Sequence, residues 1–437
     1  MGPCYGRGGM TVDGPLADRP ATEPVHPPGP SAATRDRTLR FLAVPVALAL
    51  AIAVLVTGSV VRSAPPAPAV ITDPAGALAT PAPVPVLGRA DVPRPLTHEI
   101  LGFLPYWKLD AGTGDRLRYD LLTTIAFFGI GIRRDGSLDT TKPGYRSFTG
   151  RDAARITDRA HAEGVRVVPT LQLFDRGSLP TMTAFLGDRA AQDRFMKRAL
   201  ALVKERRADG AVLDFEPLPA RLTDEFAAFA GRFGRALRAK DPHAQLTVAM
   251  HQSATDAQIA SVAAGADRVF LMAYDYHWRG SGTAGAVAPI DGPGVDVRTT
   301  LDRFVRDAGA GKVLLGVPYY GYDWPVVDSG PGSAVRTPAS EHGGSWSVGY
   351  VAAIDFLRAH PSVERVWDPI TKSPHFTYRD TASGTYREVW YEDRRSLAVK
   401  YLLAKRAGIA GVGIWALEMD RGRDELWDLL RTSFGKR

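Results

Sequence analysis

Eight short apolar runs, separated by stretches of helical periodicity, recur from about residue 96 to the end of the chain. Runs of this length suit strands that are buried on both faces of a parallel sheet. Eight strand–helix units are the number that closes a (β/α)8 barrel. The sequence therefore predicts an α/β fold, a (β/α)8 TIM barrel. Its predicted strands are residues 99–106, 122–128, 166–173, 210–215, 245–250, 268–274, 312–319 and 411–417.

Amphipathic stretches between these runs predict the helices that cover the barrel. The alternative architecture is an open doubly wound sheet, but no glycine-rich phosphate fingerprint follows the first strand. We therefore favour the closed barrel. The predicted helices include residues 151–163, 190–207, 223–239, 299–308 and 395–407.

One long interval interrupts the alternation between the seventh strand and the helix that begins near residue 395. It contains a predicted helix, residues 348–360, and strand-like pieces at 363–367, 375–378 and 388–391. We interpret residues 325–392, approximately, as a small α+β insertion on the C-terminal rim, where long loops shape substrate clefts.

The first 95 residues differ in composition from the rest of the chain. Residues 1–40 are rich in Gly, Pro and Arg and predict a disordered cytoplasmic tail. Residues 41–61 carry no charge, which predicts a transmembrane signal anchor or, alternatively, a cleaved signal peptide. Residues 62–95 are a Pro- and Ala-rich linker, and 96–437 form the barrel domain.

This organisation carries an expectation about location and partners. Arginines precede the apolar segment, so we expect a single-pass membrane protein whose barrel lies outside the cytoplasm, or a secreted one if the segment is cleaved. The net charge of +7 comes from scattered Arg and Lys, and we expect no nucleic-acid partner and a monomer. The chain has one cysteine and no His-x-His or His-x-x-x-His spacing, so no metal or other cofactor is expected.

Two carboxylic acids lie close together at the end of the fourth predicted strand. Asp214 and Glu216 are two residues apart, so both side chains point to the same side of the strand. Like charges at this spacing raise one pKa, which keeps one acid neutral and able to donate a proton. The alternative is structural, with Asp214 capping a loop and Glu216 exposed in the turn before Pro217.

Five motifs in order resemble glycoside hydrolase family 18. Residues 209–216 match its pattern Asp-Gly-x-Asp-x-Asp-x-Glu, apart from one position. Further likenesses at 288–290, 320–324 and 388–396 are closest to the bacterial cell-wall and spore-cortex N-acetylglucosaminidases. The other four motifs are Gly-Phe-Leu-Pro-Tyr-Trp at 102–107, Met-Ala-Tyr-Asp-Tyr at 272–276, Leu-Gly-Val-Pro-Tyr-Tyr-Gly at 315–321 and Gly-Val-Gly-Ile-Trp at 411–415.

The resemblance implies roles for particular residues. Glu216 is the general acid and base, and Asp214 orients the substrate's 2-acetamido group, whose oxygen attacks the anomeric carbon. Tyr274 and Asp275 complete the predicted catalytic set. Predicted substrate-binding residues are Trp415, as the floor of the sugar subsite, with Phe103, Tyr106, Met272, Tyr276, Tyr319 and Trp324.

Two positions depart from the family pattern. Val212 stands where the family has an Asp, and Pro169-Thr170-Leu171-Gln172 replaces a Ser-x-Gly-Gly. Val212 removes a carboxylate that faces Asp214, so we hypothesise that activity persists with an altered pH profile.

The predicted function is retaining hydrolysis of β-1,4 bonds in glycans that contain N-acetylglucosamine, either peptidoglycan or chitin oligomers. The alternative is a weakly active or inactive barrel that binds glycans at the cell surface, because barrels of this family that lose the acid can act as lectins. Glu216 is present, which favours the enzyme.

Overall fold

The computed structural model describes residues 11–12 and 95–436. The predicted membrane segment, the linker up to residue 94 and most of the predicted disordered tail lie outside these residues. Two residues of that tail, Thr11 and Val12, form a short strand. Within them, no helix is both long enough and apolar enough to cross a bilayer. The strands, in chain order, are β1 Thr11–Val12, β2 Glu99–Pro105, β3 Thr124–Gly131, β4 Arg166–Phe174, β5 Gly210–Glu216, β6 Gln245–His251, β7 Arg268–Met272, β8 Val313–Pro318, β9 Tyr320–Val326, β10 Trp346–Gly349, β11 Val366–Trp367, β12 Pro374–Asp380, β13 Tyr386–Trp390 and β14 Gly411–Trp415.

Eight of these strands close a parallel barrel in the order β14-β2-β3-β4-β5-β6-β7-β8, which confirms the predicted barrel. The strands are buried along their whole length except at a few end residues, as expected of strands covered by helices on the outside. The sixth predicted strand is shorter than expected. It ends at Met272, because the chain turns at Asp275, whose φ is 60°.

Eleven α-helices occur in the described part of the chain, and those that follow barrel strands pack on the barrel. α3 is typical: its buried residues Ala153, Ile156 and Ala160 repeat at helical spacing and face the strands. The helices are α1 Thr113–Arg116, α2 Pro143–Thr149, α3 Arg151–Ala162, α4 Pro180–Gly187, α5 Arg189–Glu205, α6 Thr223–Arg238, α7 Asp256–Gly265, α8 Val297–Ala308, α9 Tyr350–Ala359, α10 Arg394–Arg406 and α11 Glu425–Phe434.

The insertion is a second, mostly antiparallel sheet with α9 packed against it. Its order is β1-β12-β13-β9-β10, with β11 paired to β12. The sheet begins at Tyr320, immediately after β8, rather than near residue 325 as the sequence indicates. A fully buried ion pair joins its strands, because the Arg387 Nε donates to Asp323 Oδ1 at 2.8 Å.

Side chains that alternate along the barrel strands fill the barrel interior. At the N-terminal end, Arg268 donates to Glu99, with its Nε 3.1 Å from Oε1, and Gln245 and Arg166 extend this polar cluster. Further up, the Phe270 ring fills the space beside Gly413, where an added Cβ would lie 2.2 Å from the ring. The interior is therefore packed, and substrate can reach only its C-terminal end.

Candidate active site

Asp214 and Glu216 lie at the C-terminal end of β5, where active sites of such barrels form. Both side chains face the interior at the barrel mouth, because their charges act on Tyr274, which follows β7 on another side of the barrel. Asp214 is 3% exposed and Glu216 6% exposed. The structure thus brings together the two acids that the strand periodicity predicts to face the same way.

Burial controls the charge of this pair. It raises the pKa of Asp214 to about 7, because burial disfavours the charged form. No described residue bonds to Asp214 Oδ1. Burial also raises the pKa of Glu216 well above its ordinary value, and the nearby carboxylates of Asp214 and Asp275 raise it further. Glu216 is consequently held neutral near neutral pH, the state that a proton donor needs.

The other end of the motif is structural. Asp209 lies at the opposite end of β5, where its Oδ2 accepts from the backbone N–H of Val167 at 2.8 Å and lies 2.9 Å from His161 Nε2. Gly210 has a φ of 142°, and a Cβ there would lie 2.0 Å from the carbonyl oxygen of Gln245. The Asp-Gly pair therefore positions the start of the strand and takes no part in the site.

Tyr274 and Asp275 follow β7 and meet the acids at the barrel mouth. The Tyr274 hydroxyl is buried and has no hydrogen-bond partner among the described residues. Its pKa is raised, first by burial and then by the charges of Glu216, Asp214 and Asp275, so the phenol stays protonated. A buried donor without a partner beside two acids fits a polar group of a ligand.

Trp415 ends β14 and contacts two rings of the barrel interior. Its ring centroid lies 4.7 Å from that of Phe128 in an edge-to-face arrangement and 5.5 Å from that of Phe103. The indole is therefore rigidly supported from below. Phe103 is buried in the core and provides part of this support. Met272 is the last residue of β7 and is in register with His251 on β6. Tyr106 is half-buried on the rim, where its ring contacts that of Trp107.

Three predicted substrate-binding residues lie elsewhere. Tyr319 has no exposed surface, and its hydroxyl lies 3.2 Å from that of Tyr401 on α10, outside the barrel mouth. Trp324 is fully buried and donates to the carbonyl of Trp278 at 3.1 Å. Tyr276 donates to Thr300 on α8 at 3.0 Å. Tyr319 and Trp324 therefore offer no surface to a sugar, and the prediction for these two residues is corrected. The role predicted for Tyr276 stays a prediction.

Two tyrosines that sequence reasoning missed reach the site from the insertion sheet. The hydroxyls of Tyr320 and Tyr322 both donate to Asp275 Oδ1, the second at 3.0 Å. Their alternation on one strand was a usable signal, but their partner is more than forty residues away in the chain. Gln172 was also missed: its Oε1 is buried beside Asp214 and has no partner within residues 95–436.

The described residues hold no group of three or more His, Cys, Asp or Glu side chains placed to bind a metal ion. What the mouth of the barrel does contain is a neutral acid, a second buried carboxyl, an unpartnered phenol and an indole surface. This arrangement can protonate a leaving group and hold a neutral polar ligand against an aromatic face.

Comparison with known proteins agrees with this chemistry. The family model of the glycosyl hydrolases family 18 matches residues 178–420, more than half of the chain. The cortical fragment-lytic enzyme of Bacillus anthracis is 26% identical over 331 residues, 72% of this chain and 68% of that protein. Across this and two other curated Bacillus relatives, the matched segment spans 63 to 68% of the relative's length.

Solved structures share the fold. The Bacillus cereus spore cortex-lytic enzyme SleL has a TM-score of 0.62 at 23% identity, covering 77% of this chain and 74% of that one. A chitinase from Cycas revoluta, solved with (GlcNAc)3, has a TM-score of 0.63 at 22% identity and covers 77% of this chain and 99% of that one. At these identities the likeness concerns the fold alone.

Proposed function

The chain belongs to glycosyl hydrolase family 18 and is a glycosidase, and we propose that it cleaves β-1,4 bonds of N-acetylglucosamine-containing glycans with retention of configuration. The observation that carries the proposal is the pair of buried acids at the mouth of the barrel. Glu216 is kept neutral by burial and by two neighbouring carboxylates, and Asp214 lies two residues before it on the same side of β5.

The residues act in sequence on the bound sugar. Glu216 donates its proton to the glycosidic oxygen while the carbonyl oxygen of the substrate's 2-acetamido group attacks the anomeric carbon. Asp214 accepts the acetamido N–H and stabilises the positive charge that develops on that group. Tyr274 donates its unpartnered hydroxyl to the acetamido oxygen. Glu216 then deprotonates a water molecule, which attacks the anomeric carbon on the face that the leaving group occupied, opposite the acetamido oxygen. The two displacements together retain the configuration.

Trp415 binds the sugar whose glycosidic bond is cleaved, by stacking its indole against the sugar ring. The apolar face of a pyranose ring buries itself on an aromatic surface, and the supporting rings Phe103 and Phe128 prevent the indole from moving aside. The acetamido requirement follows from the nucleophile, because a sugar without that group offers no oxygen to attack the anomeric carbon.

The first test compares wild type with Glu216→Gln on an N-acetylglucosamine hexamer. Loss of the proposed proton donor should lower kcat by about 100- to 10,000-fold, because general acid catalysis contributes that much. Binding measured by calorimetry should survive, since the amide keeps the shape of the acid. If wild type binds the hexamer but releases no reducing ends, the glycosidase proposal fails and a glycan-binding barrel takes its place.

For the substrate we propose the glycan strands of peptidoglycan or their fragments. The support is that a curated relative from Bacillus anthracis is named a cortical fragment-lytic enzyme. Both peptidoglycan and chitin carry the acetamido group, so the test compares them directly. Mass spectrometry of the products should find new reducing N-acetylglucosamine ends from purified peptidoglycan at a higher rate than from chitin hexamer. A preference for chitin would overturn this substrate proposal and leave the mechanism intact.

The proposed location is outside the cytoplasm, with residues 41–61 as a single-pass anchor or a cleaved signal and with a monomeric barrel. Protease treatment of intact cells should digest the barrel and spare a cytoplasmic marker. A protected barrel with an intact tail would overturn this proposal.

A further inference from the structure

Strand β9 carries two phenols from the insertion to the site. It starts at Tyr320, two residues after β8 leaves the barrel, and passes the loop that holds Asp275. Tyr320 and Tyr322 alternate along the strand and so point to the same side. Their rings lie 5.6 Å apart at 86°, and only 3% and 7% of their surfaces are exposed. Both phenols are thus fixed by packing.

Asp275 is held asymmetrically by these phenols. Its φ of 60° is left-handed, a conformation that Asp tolerates better than most residues. Both tyrosines donate to Oδ1, and no described residue donates to Oδ2. One oxygen of the carboxylate is therefore anchored to the insertion, and the other stays available at the barrel mouth beside Glu216 and Tyr274.

Resting on the function proposed above, we propose that Tyr322 is a positioning residue for the reaction: it anchors Asp275 Oδ1 and leaves Oδ2 for the substrate. The insertion sheet makes Tyr322 rigid. The residue is in register with Trp390 on β13 and with Ser347 on β10, and its ring packs 5.5 Å from that of Trp324. The insertion thereby contributes directly to the geometry of the catalytic residues as well as to the wall of the cleft.

The phenols also set the charge of Asp275. Burial raises the pKa of this carboxyl, whereas the bonds from Tyr320 and Tyr322 and the nearby His251 lower it. A hydrogen bond to the charged form favours that form. Two further groups face this carboxyl, Glu216 on β5 and Tyr274, and the charge of Asp275 raises the pKa of both. The charge of Arg279 lowers the pKa of Tyr322.

These couplings predict how the pH profile depends on Tyr322. Loss of the phenol hydroxyl removes one bond to the charged carboxylate, so the pKa of Asp275 rises. A single hydrogen bond to a charged group corresponds to a pKa shift of about 1–2 units. Because both Asp214 and Asp275 must be charged, their ionisation together sets the acid limb of kcat. The limb should therefore move upward in Tyr322→Phe, by at most the rise in the pKa of Asp275. The basic limb should stay in place, because Asp275 is charged there in both proteins.

The experiment measures kcat and KM from pH 4 to 9 on a soluble N-acetylglucosamine oligomer with the full-length chain. Tyr319→Phe is the matched control: it removes a buried phenol hydroxyl three residues before Tyr322 that bonds Tyr401 instead of Asp275. It should leave the acid limb unchanged. The Tyr322→Phe change is also made in an Asp275→Asn background, where it should cause no further shift of the limb.

Two results would overturn the proposal: superimposable profiles for wild type and Tyr322→Phe, or an acid-limb shift that persists in the Asp275→Asn background. Infrared spectroscopy gives a readout that does not need turnover. The C=O band of protonated Asp275 can be assigned because it is absent from the Asp275→Asn spectrum. This band should persist to higher pH in Tyr322→Phe than in wild type. If wild type cleaves no acetamido glycan, the proposed function fails, while the infrared shift still decides the role of Tyr322.

Discussion

Val212 is the position at which a single substitution tests the electrostatics of the site. It is fully buried on β5, on the same side as Asp214, and is in register with Thr170 on β4 and Thr247 on β6. The Thr170 hydroxyl has no partner among the described residues. Val212→Asp would therefore place a buried carboxyl beneath Asp214, with the Thr170 hydroxyl nearby and free to bond to it.

The new carboxyl should stay neutral, because full burial with one nearby hydroxyl disfavours its charged form. A neutral acid donates its proton to Asp214. A hydrogen bond to a charged group contributes about 1.5–3 kcal/mol, which corresponds to roughly 1–2 pH units. The pKa of Asp214, now about 7, should fall by that amount. Since Asp214 works as an anion, the acid limb of the rate profile should move down by 1–2 units.

The assay is kcat against pH for wild type, Val212→Asp and Val212→Asn on a fluorogenic N-acetylglucosamine oligomer. The Asn variant has the shape of Asp and a permanent N–H donor but does not ionise, so it should shift the acid limb in the same direction. Both variants should lose about 1–3 kcal/mol of stability from burying a polar group, measured by urea unfolding.

Superimposable wild-type and Val212→Asp profiles would refute the reasoning, because the new carboxyl would then not interact with Asp214. An acid limb that moves up in Val212→Asp and down in Val212→Asn would refute it in a different way. That pair of results would mean that the new carboxyl is charged and repels Asp214 instead of donating to it.

Two further predictions concern stability. Burial raises the pKa of Asp420 to about 7. The folded state therefore holds a proton that the unfolded state releases above about pH 4. The free energy of unfolding should fall between about pH 4 and 7 and stay constant above that range. The free energy of unfolding of Asp420→Asn, measured with urea, should therefore rise relative to that of wild type by up to about 4 kcal/mol between about pH 4 and 7. A difference between the two proteins that does not change with pH would contradict this. Gly413→Ala adds a Cβ 2.2 Å from the Phe270 ring and should destabilise the barrel by about 1–3 kcal/mol, whereas Gly282→Ala, with open space around it, should have almost no effect in the same thermal melts.

The barrel could be predicted because its signals are local. Each strand is a short buried run, and each covering helix has its own apolar stripe, so no long-range information is needed to recognise the units. The direction of Asp214 and Glu216 follows in the same way from a period of two. The resemblance then added Tyr274 and Asp275, which follow β7, and Trp415, which ends β14; none of the three has a local link to β5.

The errors arise where direction depends on long-range pairing. In the dipeptide Tyr319-Tyr320 only one ring can face the site, and a shift of one residue exchanges them. Tyr320 faces Asp275, and Tyr319 faces Tyr401 on α10. Strand β9 was missed for the same reason: its partner β13 follows more than sixty residues later, and the pairing of Tyr322 with Trp390 has no signature in either segment alone.

The two ends of the barrel interior differ in how their polar groups are satisfied, and this difference accounts for Val212. At the N-terminal end, Glu99 and Arg268 bond to each other, which stabilises the barrel and leaves these groups chemically inert. At the C-terminal end, atoms of Asp214 and Tyr274 are buried without a partner among the described residues, a destabilising arrangement that a bound acetamido group would relieve. A buried layer that includes Val212 and Phe270 separates the ends. Because neither Val212 nor Phe270 offers Asp214 a donor, the acid retains a raised pKa and its affinity for a ligand N–H. This is why we expect the enzyme to work with valine at this position.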